Sequence, residues 1–222
     1  METTPNLLET TKYIGGVPFD LNTLDFSQQS EVEVPLTGKS GSQLKLTADR
    51  TGNIAIDTGR TDIKQFLGAM LRESPYGRAV WFLLYPEDEH GIKHPDLYAG
   101  EFASAVLDYY ERDAPITAIE FHWAKPANKG GHFSISRSEN YDRLEKWLPI
   151  CLATISKEGK SEEERMQEAI QMAAFHTWTG EFAEKKEFVN VNITKDEEGY
   201  SGFFYKNPQP EALTASFKQT SD

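Results

Sequence analysis

A histidine and a serine stand two residues apart in the segment His132-Phe133-Ser134. This spacing matches one half of the H-x-[ST] pair of two-histidine phosphoesterases, in which one histidine acts as a base and the other as an acid. No second copy occurs, because His122 is followed by Trp-Ala and His176 by Thr-Trp. We therefore expect no enzyme here, and a histidine that flanks a glycine turn in a strand is the simpler interpretation.

A second group of metal-binding residue types lies in the acidic stretch EDEHGIKHPD, residues 87–96. His90 and His94 are four residues apart, which on a helix would place two imidazoles on one face and suit zinc. Gly91 and Pro95 oppose a helix at this position. The sequence therefore favours a solvated loop, and we expect neither a metal nor a cofactor.

The segment FHWAKPANKGGHFSISRS, residues 121–138, is the longest run without an acidic residue in a chain of 222 residues with a formal net charge of −12. In an alternating strand Phe121, Trp123 and Lys125 would share one face. Aromatic rings among cations bind single-stranded nucleic acid, because bases stack on the rings and phosphates meet the cations. Alternatively, Phe121 and Trp123 face the core and the lysines are ordinary loop charges. The candidate nucleic-acid contacts are Phe121, Trp123, Lys125, Lys129, Phe133 and Arg137.

The acidity of the chain supports a different hypothesis. Aspartate and glutamate number 35 against 23 lysines and arginines, and they are spread over both halves of the sequence. An acidic surface keeps a protein in solution, but it can also imitate nucleic acid and meet a basic protein partner. The contacts would then lie in two acidic clusters, which are Glu162, Glu163 and Glu164, and Asp196, Glu197 and Glu198.

Cysteine content and hydropathy argue against several classes of protein. Cys151 is the single cysteine, and its apolar neighbours in KWLPICLATI indicate that it is buried. A disulfide within the chain is therefore impossible, and nothing in the cysteine content argues for secretion. The first residues lack the basic start and apolar run of a signal peptide. No stretch approaches the roughly 18 apolar residues of a membrane span. Phosphate-loop, dinucleotide and GxSxG motifs are absent. We expect a cytoplasmic protein without membrane contact.

The predicted secondary structure that positions these residues changes from mainly strands to mainly helices near residue 137. Before it, the patterns predict strands at EVEVPL, at the hairpin QLKLTADRTGNIAIDT, and at RAVWFLLY, LYAGEFASAVLDYY, ITAIEFHWAK and HFSIS. One short helix is predicted at TDIKQFLGAMLRES, because Ile63, Phe66, Leu67 and Met70 fall at helical spacing.

Beyond residue 137 the sequence is mainly helical. Ser138 can cap a helix that Pro149 ends or kinks, and Ser161 with Glu164 forms a capping box for a second helix. EFVNVNI and YSGFFY form a closing hairpin. The predicted class is α+β: an antiparallel β region over residues 1–137, then two or three helices and a C-terminal β-hairpin over 138–222, packed as one unit.

A run of short motifs within residues 80–136 carries a family resemblance. The segments WFLLYPEDEHGIKHPDLYAGEF and IEFHWAKPANKGGHFSIS resemble the small OB-like single-strand-binding proteins of plasmids and phages. The matching residues are Pro95, Asp96, Tyr98, Gly100, Trp123, Lys125, Lys129, Gly130, Phe133 and Ser134. The resemblance implies a five-stranded OB-like barrel over 79–136 and a non-enzymatic role in binding or processing single-stranded nucleic acid.

Overall fold

The computed structural model describes residues 12–59, 65–86, 92–125 and 139–206. Within these ranges the chain forms ten strands and four α-helices. In chain order they are β1 Tyr13–Ile14, β2 Val17–Pro18, β3 Glu31–Thr37, β4 Gln43–Asp49, β5 Asn53–Asp57, β6 Phe66–Ser74, β7 Gly77–Tyr85, α1 Ala99–Tyr110, β8 Ala118–Ala124, α2 Glu139–Thr154, α3 Glu162–Ala174, α4 Trp178–Lys185, β9 Asn190–Lys195 and β10 Gly199–Tyr205.

Eight strands form one open sheet in the order β3-β4-β5-β6-β7-β8-β10-β9, so the mixed α+β class is confirmed. The neighbours pair antiparallel except β7 and β8, which are parallel and are joined through α1. The sheet is not a closed barrel, and the described residues within 79–136 form the parallel strands β7 and β8 and the crossover helix α1, so the OB-like barrel expected there is not confirmed. A parallel pair requires such a crossover connection.

The segment LYAGEFASAVLDYY was expected to be a strand, and most of it forms α1 instead. Phe102, Val106 and Tyr110 recur every four residues and are buried with Ala103 and Leu107, so one helical face enters the core. Aromatic and β-branched residues favour strands in general. Here the helical spacing of the buried positions outweighs that preference.

The helix expected at TDIKQFLGAMLRES is also wrong, because Phe66–Ser74 is strand β6. It pairs with β5 on one side and with all nine residues of β7 on the other. Leu67 and Ala69 are buried, while Phe66 and Met70 project from the opposite side of the strand. Backbone hydrogen bonds to two neighbouring strands favour this conformation over the helical spacing in the sequence. Residues 60–64, including Ile63, lie outside the described residues.

Two of the helical predictions concern α2 and α3. Pro149 does not end α2, which continues to Thr154 and buries Leu144 and Cys151. The burial of Cys151 is as predicted, and it raises the pKa of the thiol. The capping box of α3 is confirmed: the Ser161 hydroxyl accepts from the Glu164 N–H at 3.1 Å, and the Glu164 carboxylate accepts from the Ser161 N–H at 2.7 Å.

The helices cover one face of the sheet, which we call the helix face. Phe102 of α1 and Leu67 of β6 both lie against Gly15, so α1 packs on this face. The ring of Phe182 in α4 meets Phe82 edge-on with the centroids 6.1 Å apart, and Phe175 after α3 packs on Phe204. No helix among the described residues has the length and apolar content needed to cross a membrane.

Candidate functional site

The two aromatic residues predicted to hold nucleic acid, Phe121 and Trp123, point to the helix face. Phe121 is 4% exposed and Trp123 is 3% exposed. Their rings stack with centroids 4.0 Å apart, and both pack on Phe204. A base has no access to their ring faces, so a solvent-facing platform of these two residues is not present. The alternative drawn from the sequence, in which both face the core, is the arrangement observed.

The basic residues of the same segment are only partly described. Lys125 is exposed at the end of β8, and its backbone N–H donates to the Glu198 carbonyl. Lys129, Phe133 and Arg137 lie outside the described residues, as do His132 and Ser134. Their roles stay predictions.

The two acidic clusters are both exposed. Glu162, Glu163 and Glu164 form the first turn of α3. Asp196, Glu197 and Glu198 form the turn between β9 and β10, where the Asp196 carboxylate accepts from the N–H groups of Glu198 and Gly199. Hydrogen bonds from Ser161 hold the pKa of Glu164 below its ordinary value. Asp196 and Glu164 therefore also stabilise local structure.

The side of the sheet opposite the helix face carries the more accessible aromatic residues, and we call it the open face because no described helix packs on it. Alternation along the strands places Trp81 of β7, Glu120 of β8 and Phe203 of β10 in one row across this face. Six half-buried rings, which we call the aromatic band, project from it: Phe66, Tyr76, Trp81, Tyr85, Phe203 and Tyr205.

The rings of the aromatic band contact one another in two groups. Tyr76 stacks on Tyr205 with the centroids 4.1 Å apart and an interplanar angle of 15°, and it also touches Phe203. At the other end Phe66 lies 5.0 Å from Tyr85. Sequence reasoning missed the band, although the alternation in RAVWFLLY and YSGFFY is the signal that could have revealed it.

Trp81 lies between these groups and has a cation over its ring. The guanidinium carbon of Arg72 is 4.2 Å from the Trp81 ring centroid. Arg72 also forms an ion pair with Glu120 at 3.5 Å. His122 is exposed two residues further along β8. The band is therefore bordered by charges of both signs and does not form a basic strip.

A cleft opens beside the band where β7 and β8 separate. The two strands pair only from Ala79 and Ala118 to Trp81 and Glu120. β7 then continues to Tyr85 and β8 to Ala124, and among the described residues no backbone hydrogen bond joins these ends. A cavity of about 410 Å³ lies between them. Its volume falls within the range of small-molecule sites.

The position of this cleft agrees with a general rule for sheets that contain parallel strands. Ligands bind beyond the carboxyl ends of neighbouring parallel strands, at the point where the chain leaves them in different directions. Here the chain passes from β7 to α1 and from β8 towards α2. α1 packs on β6 and β7, whereas α2 packs on β8 and α3.

The walls of the cleft are aromatic, with a few polar groups. Trp178 and Phe182 of α4 lie with their rings parallel, at an angle of 5° and 5.7 Å between centroids. Asn140 is held in place by Thr179, since its amide donates to the Thr179 hydroxyl at 3.0 Å and accepts from the Thr179 N–H at 3.3 Å. The lining also contains the ionisable groups of Lys93, Glu120, His122 and Glu139.

A serine, an aspartate and a histidine also meet near residue 96, but not as a catalytic triad. The Ser40 hydroxyl donates to the Asp96 carboxylate, and the Asp96 N–H donates to Nδ1 of His94 at 3.1 Å. Ser40 thus contacts the acid and not the base that would activate it. Burial acts to raise the pKa of Asp96, but the hydrogen bonds from Ser40 hold it below its ordinary value.

The described ranges contain no group of three or more His, Cys, Asp or Glu side chains that could hold a metal ion. His90 lies outside these ranges. No protein-family model, no curated protein and no solved structure matches the chain. The resemblance to OB-like single-strand-binding proteins therefore stays a prediction, and a function must be inferred from the residues themselves.

Proposed function

We propose that the protein binds single-stranded nucleic acid without catalysis, and that the aromatic band receives the bases. The observation that carries this proposal is the placement of six half-buried rings on the one sheet face that no described helix covers. Single-strand-binding modules use sheet surfaces in this way, with aromatic side chains on which successive bases stack. This site replaces Phe121 and Trp123, which are buried.

The geometry of the band suits more than one base. Trp81 and Phe203 are separated by β8, so their strands are about 10 Å apart. Each base stacked on an aromatic ring contributes about 1–3 kcal/mol, and every base has a face that can stack. Two or three such contacts give a useful affinity without sequence preference, even on a chain with a net charge of −12.

The test is the anisotropy of a labelled single-stranded oligonucleotide, with a duplex of the same sequence beside it. We expect the single strand to be preferred, and Phe203→Leu to weaken its binding about tenfold through loss of stacking. The matched control is Tyr13→Ala, because Tyr13 is 40% exposed but lies on β1, outside the large sheet. Equal effects of both variants, or no binding at tens of micromolar protein, would overturn the proposal.

A second candidate function is an interaction module or inhibitor that binds a basic protein through the two acidic clusters. The specific observation in its favour is that all six acidic side chains are exposed. Neutralising Glu162 and Glu163 to glutamine leaves the capping box of Glu164 intact. This double variant should weaken capture of a basic protein, whereas Lys125→Gln should not. If both variants bind a basic probe such as a histone equally well, this function is wrong.

A further inference from the structure

We infer that the cleft between β7 and β8 binds one unstacked nucleobase that carries an exocyclic amino group. The inference rests on the proposed function, since the cleft adjoins the aromatic band and shares Trp81 and Tyr85 with it. A base that leaves the stack on the open face would enter between the two strand ends. The same chemistry is present in a free nucleoside.

The backbone of the two strand ends supplies part of the recognition. Among the described strands, the backbone of Phe82–Tyr85 in β7 is paired with β6 only. The backbone of Phe121–Ala124 in β8 is likewise paired, among these strands, with β10 only. On the cleft side, no ladder joins the two ends within the described residues. Alternate residues of each strand direct N–H and C=O groups to that side. Such convergent backbone groups can bond to the edge of a planar heterocycle.

The aromatic lining matches a flat ligand. The parallel rings of Trp178 and Phe182 belong to the wall on the helix face, and Phe82 meets Phe182 at 90°. Trp178 and Phe182 are both half-buried, so part of each ring remains accessible. Stacking on such a wall favours a planar ring over a flexible chain of the same volume.

The charges of the lining indicate which bases are preferred. Glu120 and Glu139 are both acidic, and a carboxylate accepts hydrogen bonds from the amino group of a base. Lys93 and His122 also line the cleft, so its charge is mixed, and the preference rests on the hydrogen bonds that the amino group donates to the carboxylates. Adenine, cytosine and guanine all carry an exocyclic amino group, whereas uracil carries only carbonyl oxygens.

The experiment uses the full chain with adenosine and uridine as free ligands and with an oligonucleotide. Binding of the nucleosides is followed by tryptophan fluorescence. We expect adenosine to bind more tightly than uridine, and Trp178→Leu to weaken adenosine binding about tenfold. Phe203→Leu is measured with the oligonucleotide only, because Phe203 belongs to the band and does not line the cleft. Tyr13→Ala serves as the control for both.

The two variants separate the two proposals. The inference about the cleft is wrong if adenosine fails to bind, or if Trp178→Leu does not change the affinity for adenosine. This holds even where Phe203→Leu still weakens the binding of the oligonucleotide. If adenosine binds and Trp178→Leu removes it while no oligonucleotide binds, the cleft stands as a nucleoside site and strand binding is wrong. Equal affinity for adenosine and uridine would overturn the preference for an amino group.

Discussion

Trp81 and Glu120 are the last residues at which the parallel strands β7 and β8 pair. Arg72 connects them a second time, because its guanidinium lies over the Trp81 ring at 4.2 Å and contacts the Glu120 carboxylate at 3.5 Å. The point where the strands separate is therefore held by one cation shared between a ring and an acid. The aromatic band and the cleft meet at this point.

The first prediction concerns the salt dependence of strand binding. Arg72 lies over Trp81 of the aromatic band and is the described cation that we expect to meet a phosphate, so the slope of log affinity against log salt should be about −0.7 for this contact. Glu120→Gln removes the acid that holds Arg72 and should strengthen binding at low salt. Anisotropy titrations over a salt series measure both. A steep slope in the natural protein would mean that many more phosphates are contacted elsewhere.

The second prediction concerns Trp123 as a core residue. Trp123 is 3% exposed and packs on Phe121 and Phe204. Trp123→Ala should lower the free energy of unfolding by about 3–5 kcal/mol, because it leaves a cavity among these rings. Urea denaturation measures the change. Met166→Ala, at an exposed position of α3, should stay within about 0.5 kcal/mol. If Trp123→Ala leaves the free energy of unfolding unchanged but weakens strand binding, Trp123 contacts the nucleic acid and is not a core residue.

The third prediction concerns the acid stability supplied by Asp96. Burial acts to raise its pKa, but the hydrogen bonds from Ser40 hold it below the ordinary value of 3.8. Its contribution is therefore present above that pH and is lost as the pH falls through the lowered pKa of the folded state. Asp96→Asn should cost about 1–3 kcal/mol at neutral pH, and the difference should shrink in acid. Urea denaturation at several pH values measures the difference.

Asp113→Asn is the matched control for Asp96→Asn, because Asp113 is exposed. It should change the free energy of unfolding little at either pH. A difference between Asp96→Asn and the natural protein that stays constant from neutral pH into acid would contradict the expected linkage.

The fourth prediction concerns alkaline unfolding. Tyr200 is buried, its hydroxyl donates to Glu145 at 2.6 Å, and burial raises its pKa to about 12. A raised pKa stabilises the fold below the ordinary value of 10.0, and this stability is lost as the pH rises towards 12. Tyr200→Phe should cost about 1 kcal/mol at neutral pH and should reduce the loss above pH 10. Denaturation curves at neutral and alkaline pH test this, and an unchanged alkaline loss in the variant would contradict it.

The sequence predicts those parts of the fold that depend on local patterns. Leu44 and Leu46 alternate as the β4 strand requires, and Ser161 with Glu164 identifies the start of α3. It misassigns β6, because a strand paired on both sides is stabilised by neighbours that the local sequence does not contain. Propensity is a weak guide where tertiary pairing decides the conformation.

The candidate site shows the same division between local and distant information. Period-two spacing correctly places Phe121 and Trp123 on one face of β8. It does not show which face is covered, because the cover includes α2, which packs on β8, and the adjacent ring of Phe204 lies on β10, about 80 residues further along the chain. The cleft is also invisible in the sequence, since it arises from the parallel pairing of β7 with β8.

The order of the strands has a consequence for how the molecule folds. β3 to β7 are neighbours both in the chain and in the sheet, so they can form one after another through short loops. β8 has its longer pairing with β10, over seven residue pairs, and three helices intervene between these two strands in the chain. We expect pulsed hydrogen exchange to find the β3–β7 amides protected before those of β8 and β10. The three residue pairs between β7 and β8 then join an early unit to a late one, and the cleft takes its shape only in the final step of folding.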